Sequence, residues 1–486
     1  MFLKKLIMIL CSMSAMTYAA DSSPKSPEIV VVGAGLGGLT AAYRLHKKGK
    51  NVNVYEARTR IGGRVHTVLI KNQDGGYSYV ELGGQNINDA PNPKNILALA
   101  KELDVKITED YVNPSAVFFD GTDLYNPYSL ASKQNIALNF QNLENIKLPR
   151  DMGTILDLFF GKEPSILKRF IRCRLASFEG SPPEDLAVCE YNEKTFFGMV
   201  VSLLDADPEN KKLSDSKSSN NNKKIKRLIA KEGNATLPLK LAEKIGTDKI
   251  HLGHVLTHVK EVENKKIQLT FSNTQTQTTT ITTCDKLILA MPCSVFGSIT
   301  FDTTVLPKER MDAMKKVSYG QNGKIMVPVK KSQTHAIVTD DMIAFDNADH
   351  KVVTLYISGK AASTLNQETK EHFERGLKAI KAGFPLSSVN DSPPVIPAEE
   401  QLSSYDGPVV KSWADDIHAK GSYTNYGTEM AEQQEKITPY KNITVRAPFA
   451  PQDDRVFFVG EHATTLTALG TMEAAVESGE RIASVL

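Results

Sequence analysis

The sequence predicts an α/β fold in which one domain, built on parallel strands, recurs at the start, middle and end of the chain. A discontinuous α+β domain is inserted between its pieces. Three observations carry this reading. A strand, a glycine-rich turn, a helix and a second strand succeed one another within residues 29–55. Short apolar runs typical of buried parallel strands return at Leu287–Ala290 and Val456–Val459. Mixed helical and strand-like segments fill the stretches between. The expected pieces are 28–90, 230–305 and 435–486 for the parallel-sheet domain, and 91–229 and 306–434 for the inserted one.

The first residues are expected to lie outside the fold. Lys4 and Lys5 precede the apolar run Leu6–Leu10, and small residues come next, ending Thr17-Tyr18-Ala19-Ala20. That order describes a secretory signal peptide, residues 1–19, cut after Ala19. The apolar run is too short for a stable membrane anchor. Export to the periplasm or the medium is the expectation. Without Lys4 and Lys5 the formal charge falls from +2 to 0, which argues against nucleic acid or an anionic membrane as partner. Cys173, Cys189, Cys284 and Cys293 remain; scattered in a long chain they read as buried apolar residues, and no pairing is assigned.

From Ile29 the elements read in order. Ile29–Val32 is a buried strand, Leu39–Lys48 a helix with Leu39, Ala42 and Leu45 on one face, and Val52–Tyr55 a second strand. A helix is expected at Asn95–Leu103. The polar run 208–226 reads as a surface loop. Strands are expected at Val255–Val262 and Ile267–Phe271, a hairpin edge at Thr274–Thr283, a helix at Lys370–Ala382, and a last helix from about Thr471.

The turn Gly33-Ala34-Gly35-Leu36-Gly37-Gly38 is a G-x-G-x-x-G between strand and helix, the context that makes this motif informative. Gly33 permits the tight turn, Gly35 lets backbone approach a pyrophosphate, and Gly38 permits close helix–strand packing. The helix N-terminus offers N–H groups to phosphate. Glu56, 23 residues beyond Gly33, can accept hydrogen bonds from ribose hydroxyls. This is a Rossmann-type dinucleotide fingerprint.

The residues from Glu56 onward narrow the class. Glu56-Ala57-Arg58-Thr59-Arg60-Ile61-Gly62-Gly63-Arg64 resembles the flavin amine oxidase family, which includes monoamine and polyamine oxidases. Further stretches resemble it in order: Glu81-Leu82-Gly83-Gly84, Gly233–Ala242, Leu287–Pro292, Val459-Gly460-Glu461, and Gly470-Thr471-Met472-Glu473 with Ala475–Gly479. The resemblance spans about 28–486. It implies FAD, with Gly33, Gly35, Gly37, Gly38, Glu56, Ala57, Arg58, Gly63 and Arg64 along the adenine dinucleotide and Gly83 and Gly84 at the flavin ring. It also implies a backbone contact of Val259 to the adenine side, Gly460 and Glu461 at the ribityl chain, and Thr471 and Met472 at the ring. The Met472 N–H, at a helix start, would face flavin O2.

The resemblance implies the chemistry as well. Hydride passes from an amine Cα–H to flavin N5, the imine hydrolyses to a carbonyl, and O2 reoxidises the flavin to give hydrogen peroxide. Lys324 aligns with the lysine that holds a water at N5. Tyr423, after Gly421-Ser422, aligns with one wall of an aromatic cage. The second wall falls on Thr471, so the cage is half built or another side chain completes it. Ser422 stands where covalent members carry a flavin-linked Cys, which predicts non-covalent FAD. Asn86 stands where an aromatic is common.

Other groupings are set aside. His251, His254 and His258 fall in a strand-like segment, where His251 would face away from the other two, and no metal is expected. Asp415, Asp416 and His418 read as a solvated turn. The leading expectation is an FAD-dependent amine oxidase acting on a small-molecule amine with O2. An L-amino-acid oxidase, which needs an Arg for the substrate carboxylate, a flavin desaturase and a non-catalytic binding protein on the same scaffold are the rivals.

Overall fold

The computed structural model describes residues 28–90, 92–112, 116–133, 151–205, 225–330, 336–347, 349–384, 388–429 and 431–486. The expected signal peptide and the run 208–226, except Ile225 and Lys226, lie outside the described residues.

The expected unit at the start of the chain forms. Glu28–Val32 pairs in parallel with Asn51–Tyr55 on one side and with Lys286–Leu289 on the other. Val456–Phe458 extends the sheet beyond Lys286–Leu289, and Ile250–His251 closes the far edge, both in parallel. Residues from both ends and the middle of the sequence thus meet in one five-stranded sheet. Its central strands are buried on both faces, as their apolar runs require.

The helix after the glycine turn runs Leu36–Lys47, three residues earlier than its apolar periodicity suggests, because Gly35 already serves as its N-cap. Leu39, Ala42 and Leu45 are fully buried. The last helix, Met472–Val485, lies against it. They meet at glycines: a Cβ at Gly479 would come within 2.6 Å of the Gly37 carbonyl oxygen.

The second part is mixed. Asn322–Lys330 pairs antiparallel with Val352–Ser358 and with Val409–Ser412 in an eight-stranded sheet. This register sets Lys324 directly opposite Tyr356, so the two side chains leave the sheet on the same face. The helix Thr369–Gly383 covers the other face through Phe373, Leu377 and Ile380. Ile166–Glu179 and Glu190–Asp205 form a further helical layer. No helix among the described residues is long and apolar enough to cross a membrane.

Two local expectations are corrected. His251 and His254 do not point apart: the chain turns between them, their rings lie 6.1 Å apart, and both pack on Tyr55. His258 is exposed, and no group of three or more metal-ligating side chains occurs among the described residues. Asp416 is not solvated but buried among cationic side chains. Cys173, Cys284 and Cys293 are buried, Cys189 is half-buried, and all four are free thiols.

Candidate active site

One cavity runs from the glycine turn to the face of the second sheet that carries Lys324. It encloses about 2170 Å³ free of protein atoms, open solvent at its mouth included. At one end lie Gly33, Gly35, Gly37, Glu56, Ala57, Arg58, Gly63 and Arg64. Gly83, Gly84, Gly460, Glu461, Thr471 and Met472 line its middle. Lys324, Tyr356 and Tyr423 stand at the far end with Phe178, Tyr191 and Phe345.

The glycine turn has the geometry its spacing calls for. Gly33 sits at φ +110°, where an L side chain is strained. A Cβ at Gly38 would meet the Gly33 carbonyl oxygen and come within 2.9 Å of Ala290 Cβ, so this glycine packs helix on strand and lies off the cavity. At Gly35 a Cβ would meet no protein atom within 4 Å, which leaves an open cradle on the cavity side. No side chain among the described residues caps the helix Leu36–Lys47. Its first N–H groups and the positive end of its dipole face the cavity and suit an anion there. Glu56 is buried; its carboxylate accepts from Ala34 N at 2.6 Å and Arg58 N at 2.9 Å, locking turn to strand end.

The two arginines differ. Arg58 lines the cavity but is tied to carboxylates: Nη1 donates to Asp416 Oδ2 at 3.0 Å and to Glu399 Oε2 at 3.1 Å. Lys411 Nζ lies 2.7 Å from the same Asp416 oxygen. Burial opposes ionisation of both acids, yet the cations together outweigh it. They hold the Asp416 carboxyl well below its usual range and Glu399 at about 2. Arg64 is less enclosed; Nη1 donates to Glu461 Oε1 and to the Ser422 carbonyl, while Nη2 and Nε carry no hydrogen-bond partner among the described residues. Arg60 is buried; it donates from Nη1 to the Gly63 carbonyl at 2.9 Å and fixes that turn.

Val259 corrects the sequence reading. It is buried away from the cavity, and its carbonyl accepts from Asp302 N at 2.8 Å. The strand His254–Glu261 changes register between Leu256 and His258. This bulge puts Leu256 and Val259 in one core cluster and leaves His254, Val255 and Leu256 at the cavity.

The middle of the cavity is rigidly built. Trp413 Nε1 donates to the Leu82 carbonyl at 2.8 Å. Glu461 accepts from Arg64, Thr424 Oγ1 and Gly470 N. Burial works against its charge, but Arg64 and these donors hold the carboxyl below the usual range. Thr471 caps the last helix by accepting from Ala474 N at 3.1 Å, which leaves the Met472 N–H uncapped. Glycine cradles, the uncapped start of the helix Leu36–Lys47, the free Met472 N–H and an arginine with spare donors together fit an extended flavin dinucleotide.

At the far end, Lys324 is 4% exposed and does not reach outer solvent. Its three ammonium protons meet the carbonyls of Glu81 at 2.8 Å and Gly83 at 2.9 Å and Gln85 Oε1 at 3.0 Å. Burial lowers its pKa, and the nearby Glu81 carboxylate opposes that fall. Tyr423 OH donates to the Phe178 carbonyl at 2.9 Å and lies 3.2 Å from Tyr356 OH. Tyr356, unseen in the sequence, is therefore the second aromatic next to Tyr423; only pairing across the sheet could reveal it. Ser422 is buried, with Oγ donating to Asn322 Oδ1 at 3.1 Å. Asn86 and Asp89 line the same end.

A dinucleotide cradle opening onto an aromatic-lined chamber defines an oxidoreductase in which cofactor and small substrate meet in one cavity. The profile of the flavin containing amine oxidoreductase family matches residues 36–486. The chain is 25% identical to amine oxidase [flavin-containing] A of Sus scrofa, over 96% of this chain and 85% of that protein. Cyclohexylamine oxidase from Brevibacterium oxydans superposes with TM-score 0.64 at 17% identity, covering 95% of this chain and 98% of the other. Wild-type putrescine oxidase bound to putrescine gives TM-score 0.63 at 18% identity, with the same coverage. The chain belongs to the flavin containing amine oxidoreductase family and is an FAD-dependent amine oxidase.

Proposed function

We propose that the exported protein binds FAD without a covalent link and oxidises small primary or secondary amines, with O2 as the final acceptor. The observation that carries this is the placement of Lys324 and the Tyr356–Tyr423 pair in the cavity that begins at the Gly33–Gly38 turn. Bound FAD supplies the hydride acceptor and the reaction with oxygen. The chain supplies position and electrostatics.

Gly35 and the start of the helix Leu36–Lys47 receive the pyrophosphate, with Arg64 as side-chain donor. Arg58 has a lesser part there, since Asp416 and Glu399 already occupy it. With FAD bound, Glu461, held by Arg64, would meet the ribityl chain, and the Met472 N–H would stabilise negative charge on the ring. Lys324 clamps the loop 81–85 beside the ring. Its bond to Gln85 is the one a water replaces most readily, because the other two acceptors are backbone in a fixed loop. Tyr356 and Tyr423 exclude water from the amine; burial keeps both phenols neutral. An ammonium entering this chamber loses hydration and releases its proton more easily. Ser422 offers a hydroxyl already bonded to Asn322, which supports a non-covalent flavin.

The cavity also bears on the amino-acid oxidase alternative. Of its lining arginines, Arg58 is tied to Asp416 and Glu399, and the spare donors of Arg64 go to the pyrophosphate, so neither is left for a substrate carboxylate. The test is direct. The mature protein, sequenced from its N-terminus, starts at Ala20 and is yellow, and acid precipitation releases the flavin. Anaerobic amines bleach it, L-amino acids do not, and air restores the colour with hydrogen peroxide. A colourless protein reconstituted with FAD, or bleaching by L-amino acids alone, overturns the reading.

A further inference from the structure

A second chamber lies beside the cavity that holds Lys324. It encloses about 800 Å³ free of protein atoms, open solvent included. Both chambers rest on one face of the second sheet. Lys324 stands opposite Tyr356 and, two residues along, Met326 stands opposite Thr354, so all four side chains leave the sheet on the same side. Lys324 and Tyr356 line the main cavity; Met326 and Thr354 line the second. The loop 81–86 stands between the two, and Gln85 and Asn86 border both. Gln85 Oε1 is also the side-chain acceptor of the Lys324 ammonium, at 3.0 Å.

The second chamber has polar walls that the protein leaves unsatisfied. Thr354 is fully buried, and its Oγ1 has no hydrogen-bond partner among the described residues. Asn86 donates from Nδ2 to Asp89, while its Oδ1 is buried and likewise without a partner among the described residues. The Glu81 carboxylate borders the same space, accepting from Thr67 Oγ1 and Asn234 N. Buried polar atoms of this kind, in a space large enough for water, are met by ordered water. Tyr77, Tyr79 and Lys231, all exposed, border the chamber on its outer side, so that water is continuous with solvent.

Resting on the amine-oxidase reading, we propose that this side chamber is a hydrated path that brings protons to the flavin edge at Lys324, separate from the route the amine takes. Reoxidation needs such a supply. Reduced flavin gives O2 two electrons and its N5 proton, and one further proton must arrive to complete hydrogen peroxide. While the oxidised amine fills the space beside Tyr356 and Tyr423, the main cavity is closed to water, and the proton comes past Thr354 and Asn86 instead. Gln85 is the junction. When its Oε1 gives up the Lys324 ammonium, a water takes that place and joins the two chambers.

The test has two arms, both on the FAD-loaded protein. A high-resolution crystal structure of the wild type is expected to show ordered waters on Thr354 Oγ1 and Asn86 Oδ1, in a file that reaches Gln85. This arm needs no variant to fold. The second arm fills the chamber from its outer strand with Ile229→Trp and, separately, removes the hydroxyl with Thr354→Val. Stopped-flow absorbance then follows the two half-reactions apart. Anaerobic bleaching by amine should stay close to wild type in both variants. Reoxidation by O2 with the product still bound should slow by about 10-fold or more in Ile229→Trp, and by less in Thr354→Val. A dry chamber in the crystal structure overturns the proposal. So does wild-type reoxidation in Ile229→Trp, or an equal slowing of both half-reactions, which would mark a structural effect. Failure of every amine to bleach the wild-type flavin removes the amine-oxidase reading itself.

Discussion

The ammonium of Lys324 donates to the carbonyl oxygen of Gly83 at 2.9 Å, joining the second sheet to the loop beside the proposed flavin ring. Lys324→Met keeps the bulk and removes the three donors. Glu81, Gly83 and Gln85 then lose their partner and the loop loosens. The anaerobic rate of flavin bleaching by amine is expected to fall by about 100-fold, while the protein stays yellow. Stopped-flow absorbance measures it; an unchanged bleaching rate would show that this lysine is structural only.

Gly35 and Gly38 separate fold from cofactor. Gly38→Ala drives a methyl into the Gly33 carbonyl and Ala290. It should lower stability by about 1–3 kcal/mol and lower flavin content with it. Gly35→Ala places its methyl in open space on the cavity side. It should leave the thermal midpoint of the flavin-free protein within error of wild type yet reduce the flavin retained on purification. Normal flavin content in Gly35→Ala argues against a dinucleotide lying along this turn.

How far these residues were legible depends on the range of the contacts that place them. Gly33, Gly35, Gly38 and Glu56 belong to one continuous strand–turn–helix–strand unit, so spacing alone sufficed. Tyr356 was not legible, because its place depends on facing Lys324 across a sheet pair formed by residues 32 positions apart in the sequence. Asp416 read as part of a solvated turn because its partner Arg58 lies 358 positions away in the sequence; its burial comes from Arg58, Arg60 and Lys411 gathering around it and Glu399. Val259 was placed at the adenine side by the resemblance alone; in the fold its carbonyl accepts from Asp302 N, and Val255, four residues earlier, lines the cavity instead.

Tyr356 and Tyr423 test whether ring or hydroxyl matters. The Tyr423 hydroxyl anchors to the Phe178 carbonyl and receives Asn322 Nδ2 at 3.0 Å. Tyr423→Phe leaves those groups short of a partner and should cost about 1–3 kcal/mol in stability, with kcat/KM changed only a few-fold. Tyr423→Ala removes the wall, admits water, and should lower kcat/KM by at least about 10-fold more than Phe does. Equal kinetics for the two variants would mean that the ring does not border the amine.

Two buried histidines set a pH dependence of stability. His66 and His462 are each 1% exposed, and neither ring nitrogen of either has a hydrogen-bond partner among the described residues. Burial, with the positive charge of Arg60 second, lowers His66 to about 3. Burial lowers His462 to about 4, although Glu461 pulls the other way. Both folded values lie below the unfolded value of about 6.5. The unfolded chain therefore binds more protons between about pH 6.5 and about pH 4, and stability rises with pH through that window. Each neutral ring contributes its full share above about pH 6.5, and by pH 5 each has forfeited up to about 2 kcal/mol. Between pH 7 and pH 5 the histidines act against Glu179 and Glu81. Burial raises these two carboxyls to about 8 and about 7, so they contribute more stability as pH falls. The histidine share is therefore read from the difference between wild type and variant. His66→Phe, which keeps a ring and cannot be protonated, should lose less stability than wild type from pH 7 to pH 5, by up to about 2 kcal/mol in denaturant titrations. An identical pH slope in the two proteins would require His66 to find a partner that the folded chain does not show.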